Sequence, residues 1–278
     1  MWLFDRVGPR DCVRLGRDAI ERWVGVQGGM KLAASHALDG AGLPQPNAML
    51  AVLRAMYPAP QRAGVDLVLD STWLPLLLVD TGGVLWSRPQ VEALVRHRLG
   101  LLYDNGAAKV STWNLRVDHR AGDRYALGAG LPEDVRQSLS NAAREVGLRG
   151  AVLTPAFHWA LQRLRPNRGW PGRTGWFVWL EQDRAIVSRF DRGRLTGLNA
   201  GAPRCEDADD VERLIQTESC RLGIETKREP VVVGAWGMPS ARPDRLRHSH
   251  LRWLPIAGGT ETTHRHLPLP PQPLGSAI

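Results

Sequence analysis

The feature that most constrains this chain is an order of elements used twice: strand, strand, strand, helix, strand, first across Asp11–Asp70 and again across Thr174–Ala235 at nearly the same spacing. In the first copy Cys12–Leu15 alternates apolar and charged residues, as a half-buried strand does. Gly16, Arg17 and Asp18 supply turn chemistry, and Ala19–Val24 returns. Gly28 and Gly29 make the next turn, and Met30–Leu38 is the third strand. Met49, Leu50, Leu53 and Met56 recur at helical spacing within Pro46–Tyr57, and Pro58 and Pro60 stop that helix. Val65–Leu69 closes the unit as an apolar strand of the kind covered on both faces.

The second copy opens with Trp176–Leu180, turns at Gln182 and Asp183, returns along Ala185–Phe190, turns at Asp191–Gly193 and continues as Leu195–Leu198. Its helix is Asp207–Leu222. Glu206, Asp207, Asp209 and Asp210 crowd the start, where the helix dipole favours negative charge, and Gly223 fits the end. Val231–Val233 is the closing strand.

Between the copies, Trp73–Val79 reads as an edge strand because of Pro75. Pro89–Tyr103 is an amphipathic helix, Lys109–Val117 and Tyr125–Leu127 form a hairpin through Asp118–Asp123, and Pro132–Val146 is a helix with proline in its first turn. Ala151–Leu153 is a short strand and Ala156–Leu164 a short helix. Helices and strands alternate throughout, which makes the class α/β. The expected organisation is a first unit at 1–72, an inserted α/β subdomain with a linking helix at 73–172, a second unit at 173–240 and a basic, proline-rich tail at 241–278 that is partly disordered. Leu251–Pro255 is short and apolar enough to add one more strand.

No apolar run approaches the ~20 residues that span a bilayer, and the N-terminus lacks a secretory pattern, so a cytoplasmic protein is expected. Cys12, Cys205 and Cys220 are odd in number and show no Cys-x-x-Cys spacing, consistent with incidental thiols in a reducing compartment. The net charge is +8, carried almost entirely by arginine. That sign suits anionic lipid, nucleic acid or an acidic partner, but no basic block interleaved with aromatics and no helix-turn-helix or zinc-finger spacing supports dedicated nucleic-acid binding.

Several motifs weigh as structure. Asp80-Thr81-Gly82-Gly83 follows an apolar strand in the manner of an aspartic protease loop, yet no second Asp-Thr-Gly or Asp-Ser-Gly exists, so a tight turn is expected. His248 with His250 and His264 with His266 have metal-binding spacing but no fixed carboxylate or thiolate beside them. His97 and His158 read as core-edge residues, and Trp23, Trp176 and Trp179 as buried strand aromatics. Trp236, after the last strand, is a candidate partner anchor.

The placement of Cys12–Trp23, Thr72–Tyr103, Trp176–Leu198 and Val231–Gly237 resembles the actin-like assembly-platform proteins of pilus and type II secretion systems, of PilM and GspL type, over about residues 10–237. The resemblance implies an actin-like (ribonuclease-H-like) fold of duplicated βββαβ units with an inserted α/β subdomain. It implies a scaffold at the cytoplasmic face of the inner membrane that binds the cytoplasmic segment of a bitopic platform protein, with an anionic membrane surface as a further contact. Nucleotide-binding members of the superfamily hold phosphates and magnesium with Asp and Gly at the two hairpin turns, and adenosine against a Gly-Gly turn. Here Arg14 stands where the first loop needs an acid beside Gly16, the second loop (Trp179–Asp183) has no glycine, and Ala235 and Trp236 interrupt Gly234 and Gly237 in the third. The expectation is no catalytic residue and no cofactor. The runner-up is an actin-like ATPase or small-molecule kinase binding Mg-ATP through Gly16, Asp18, Asp183 and Gly234; a further alternative is a basic nucleic-acid-binding or phage-associated protein.

Overall fold

The computed structural model describes residues 11–26, 29–38, 46–58, 64–103, 110–148, 151–164, 174–225, 229–235 and 251–254. The first unit contains β1 (Cys12–Leu15), β2 (Ala19–Val26), β3 (Gly29–Ala37), α1 (Pro46–Met56) and β4 (Asp66–Leu69). The second contains β9 (Gly175–Leu180), β10 (Arg184–Asp191), β11 (Arg194–Pro203), α5 (Ala208–Arg221) and β12 (Val231–Ala235). Between them lie β5 (Leu76–Asp80), α2 (Arg88–Tyr103), β6 (Trp113–Asp118), β7 (Tyr125–Pro132), α3 (Glu133–Glu145), β8 (Val152–Pro155) and α4 (Ala156–Leu164), and β13 (Leu251–Leu254) comes last.

The duplication is literal in the sheets. The first has the order β3-β2-β1-β4-β8 and the second β11-β10-β9-β12-β13. In each, the first three strands meander antiparallel, the fourth lies parallel to the first, and a fifth runs parallel to the fourth. The fifth strand of the first sheet, β8, thus comes from the stretch read as an insertion, and the fifth of the second, β13, from the stretch read as a tail. What remains between the units is a three-stranded sheet, β5-β7-β6, covered by α2. β5 is an edge strand there, as expected, with Pro75 immediately before it.

Local chemistry explains most elements. Every residue of β9 and β12 is buried, as strands covered on both faces must be. α1 buries Met49, Val52, Leu53 and Met56 into the core that also holds Leu139, Ala142 and Ala143 of α3. α5 begins at Asp207, whose carboxylate accepts the Asp210 amide at 2.8 Å. It ends in a Schellman turn: Gly223 adopts φ +65°, its amide donates to the Cys220 carbonyl, and that of Ile224 to Ser219.

Two strands are longer than the pattern suggests. β11 runs on to Pro203 because it pairs with the whole of β10 through two register shifts. β7 runs on to Pro132 through Gly128 and Gly130, which let α2 approach: a Cβ on Gly128 would sit 2.4 Å from Val95 Cγ1. Asp80–Gly83 is a turn, with φ +68° and +73° at the two glycines and the Gly82 amide on the Asp80 carboxylate. Among the described residues, no helix is long and apolar enough to cross a membrane, and no cluster of His, Cys, Asp and Glu could hold a metal. His248, His250, His264, His266 and Trp236 lie outside the described residues.

Candidate functional site

The site the sequence points to lies where the first hairpins of the two units meet. The β1–β2 and β9–β10 turns close alike: the Gly16 amide donates to the Ala19 carbonyl and the Glu181 amide to the Arg184 carbonyl, each at 2.9 Å. Leu15 pairs with Ile20 and Leu180 with Ala185, so Arg14 corresponds to Trp179, Gly16 to Glu181 and Asp18 to Asp183.

On the first side, Arg14 points to the same strand face as the core residue Cys12 and is only 4% exposed. Its Nε and Nη2 grip Asp70 Oδ1 and Oδ2 at 3.1 and 2.6 Å, and its Nη1 meets Glu21 Oε2 at 3.1 Å. Burial works against the guanidinium's charge, but Asp70 and then Glu21 outweigh it and move its pKa up. The Trp73 indole donates to the Gly16 carbonyl at 2.9 Å. A Cβ on Gly16 would lie 3.2 Å from the Ala19 carbonyl oxygen and 3.4 Å from the Arg14 guanidinium carbon, so this glycine makes room for the arginine.

On the second side, Glu181 is buried and crosses to the turn after β4. One carboxyl oxygen accepts the Ser71 amide at 2.9 Å and the other pairs with the Ser71 hydroxyl. Burial pushes this carboxyl up to about 8; the Asp70 charge adds to the shift, and Ser71 and Arg14 oppose it. Glu21 and Asp70 thus share one buried guanidinium, and Glu181 lies close enough to feel its charge without pairing with it. Burial also drives Asp70 upward against the pull of Arg14. Because Asp70 is held bidentately by a cation and Glu181 by Ser71 alone, the surplus proton belongs on Glu181. At the rim, Arg17 Nη1 reaches Asp183 Oδ2 across the cleft at 2.7 Å, and Arg184 holds the same carboxylate at 2.9 Å. Burial opposes the charge on Asp183, but Arg184 and Arg17 prevail and hold its pKa down.

Of the residues singled out from sequence, Gly16 and Asp183 come together here. Asp18 is more than half exposed, with its carboxylate 3.8 Å from Arg17 Nε. Gly234 pairs in register with Trp179, and a Cβ on it would sit 3.0 Å from the indole Cε3, so Trp179 and Phe177 fill the space beside it. The sequence reading missed Asp70, Ser71, Trp73 and Glu181 as members of one site. The missing glycine of the loop Trp179–Asp183 was visible; that Glu181 in this loop pairs with Ser71, 110 positions upstream, was not. Behind the polar contacts the halves share a core, in which Phe157 of α4 meets Phe177 of β9 with ring centroids 5.6 Å apart.

No protein-family model matches the sequence, and no curated protein does. Solved structures do. A Bacteroides thetaiotaomicron protein with an actin-like ATPase fold and unknown function aligns over 93% of this chain and 96% of its own, with TM-score 0.54 and 12% identity. The PilM–PilN type IV pilus biogenesis complex contains a chain that aligns over 90% of this one and 89% of its own, with TM-score 0.54 and 12% identity. The fold is actin-like. The two hairpin turns and the end of β12 are the loops that the sequence resemblance assigns to nucleotide and magnesium, and the residues present do not fit that group. The first turn offers a guanidinium already committed to two carboxylates, the second a carboxylate in place of a glycine, and Gly234 lies under an indole.

Proposed function

We propose that this actin-like protein is a non-catalytic scaffold of pilus or secretion assembly, which recruits the cytoplasmic segment of a membrane-spanning partner. The observation that carries the reading is the Glu181–Ser71 contact. Where a nucleotide-binding relative would leave backbone amides free for phosphate, this chain supplies its own carboxyl group, and the neighbouring Arg14, Arg17 and Arg184 are already committed to Asp70, Glu21 and Asp183. A fold that fills its nucleotide cleft with its own side chains has its outer surfaces left for function. PilM, whose fold this chain shares, occurs in a type IV pilus biogenesis complex with PilN, which supports assembly work with a second protein as the use of this frame. The net charge of +8 favours a place beside anionic lipid headgroups, by about 1 kcal/mol per basic residue near the surface.

Two measurements test the reading. Thermal unfolding with millimolar Mg-ATP is expected to leave the midpoint unchanged. A rise of several degrees that Gly16→Trp abolishes would favour the ATPase or kinase instead. Affinity purification of the tagged chain from detergent-solubilised membranes is expected to recover a bitopic inner-membrane protein. Recovery of nucleic acid in its place, with steep salt dependence, would replace the scaffold by a nucleic-acid binder.

A further inference from the structure

We propose that Glu181 is a proton-operated clasp between the two halves. Neutral, it seats on Ser71 and holds the hairpins together; ionised, it is repelled by Asp70 and the hairpins part. The inference stands on the cluster's geometry and is independent of what the scaffold binds.

The contact joins the β9–β10 turn of one half to the turn after β4 of the other. The charged groups facing it are Asp70 from the turn after β4, Arg14 from β1, Glu21 from β2 behind Arg14, Arg17 from the first hairpin, and Asp183 and Arg184 from its own hairpin. All three arginines are engaged elsewhere. Arg14 is held by Asp70 and Glu21, and both Arg17 and Arg184 by Asp183. None forms an ion pair with Glu181 among the described residues. A neutral carboxyl is fully satisfied where it lies: its carbonyl oxygen accepts the Ser71 amide and its hydroxyl pairs with the Ser71 hydroxyl. An ionised one is a second buried anion beside Asp70, with Ser71 and the charge of the already engaged Arg14 to compensate it.

The sign follows from linkage. Burial raises the closed-state carboxyl to about 8, so the closed state holds a proton that the open, hydrated state releases at the ordinary carboxylate range. The clasp is therefore fully closed in acid and weakens as pH rises through neutrality to about 8. One proton per opening makes the opening constant rise about tenfold per pH unit between the ordinary carboxylate range and about 8, where the slope levels off; from pH 6 to pH 8 the rise is about fiftyfold.

Hydrogen exchange of the full chain, corrected for intrinsic exchange, reads this directly. Protection in peptides covering 70–74 and 179–185 is expected to fall about fiftyfold over that interval, while a peptide within 208–221 shows no such slope. In Glu181→Gln, whose amide reproduces the neutral acid, protection at 70–74 is expected to be independent of pH. A flat wild-type profile at 70–74, or the same slope at 208–221, overturns the proposal from the native protein alone. So does a slope that persists in Glu181→Gln.

Discussion

Leu15 and Leu180 occupy equivalent points of two hairpins closed by the same backbone bond, and the residues around them are opposite in kind. Before Leu15 stands a buried guanidinium and after it a glycine; before Leu180 stands a buried indole and after it a carboxylate. Each half is therefore unlike its copy and complementary to it. Arg14 puts a guanidinium inside the first half and draws in Asp70, which fixes the turn carrying Ser71; Ser71 then receives Glu181 from the second half. Trp179 has no charge to satisfy, so the second strand spends the equivalent position on packing, under Phe177 and against Gly234. The duplicated frame sets where the hairpins meet, and divergence at two equivalent positions sets what they do there.

Breaking the polar side of this comparison has the largest expected effect. Arg14→Ala leaves Asp70 buried and Glu21 partly buried without their cation and is expected to cost about 3–5 kcal/mol by chemical denaturation. Replacing Arg14 by Met together with Asp70 by Leu removes both charges and is expected to recover most of that loss. A double variant as unstable as Arg14→Ala would mean that the pair serves for more than its own charge compensation.

Breaking the apolar side costs less. Gly234→Val forces a branched side chain into the space held by Trp179 and Phe177, whose atoms would lie 3.0–3.5 Å from its Cβ. Overpacking of this kind costs about 1–3 kcal/mol, and the measurement is again the unfolding midpoint. Trp179→Leu in the same chain relieves the crowding and is expected to restore part of the loss. If the two substitutions add instead, Gly234 has some role besides accommodating the indole.

These contrasts also mark what was legible beforehand. Both meanders, both crossing helices and their closing strands follow from alternation, helical spacing and turn residues, because those signals are local: Asp207 and Gly223 bound α5 by chemistry confined to its own ends. β7 was cut short at Leu127 because Gly128 and Gly130 are poor strand formers, and only the approach of Val95 and Leu99 from α2 explains them. The nucleotide loops were legible as departures, since Arg14 stands where an acid is needed and Trp179–Asp183 has no glycine. Their partners were not. Asp70 lies 56 positions from Arg14 and Ser71 lies 110 from Glu181, and nothing in a single sequence pairs residues across such distances. Arg14 read as the loss of an acid; in the structure it is the gain of an ion pair.

The smallest effect belongs to the rim, where the halves meet in the open. Arg17 and Asp183 approach to 2.7 Å, but the arginine side chain is 44% exposed and Arg184 holds the same carboxylate. An exposed pair of this kind is worth about 0.2–1 kcal/mol, so Arg17→Ala is expected to change stability by less than about 1 kcal/mol, and by less still in high salt. A double-mutant cycle with Asp183→Asn isolates the pair. Its coupling is expected to be small at pH 6, where the clasp beneath already holds the hairpins closed. At pH 9 Arg17–Asp183 becomes the chief polar link across the cleft, and the same substitution is expected to deepen exchange at 70–74 beyond the wild-type level. Equal effects at the two pH values would show that rim and floor act independently, and that the hairpins are two separate contacts and not one hinged closure.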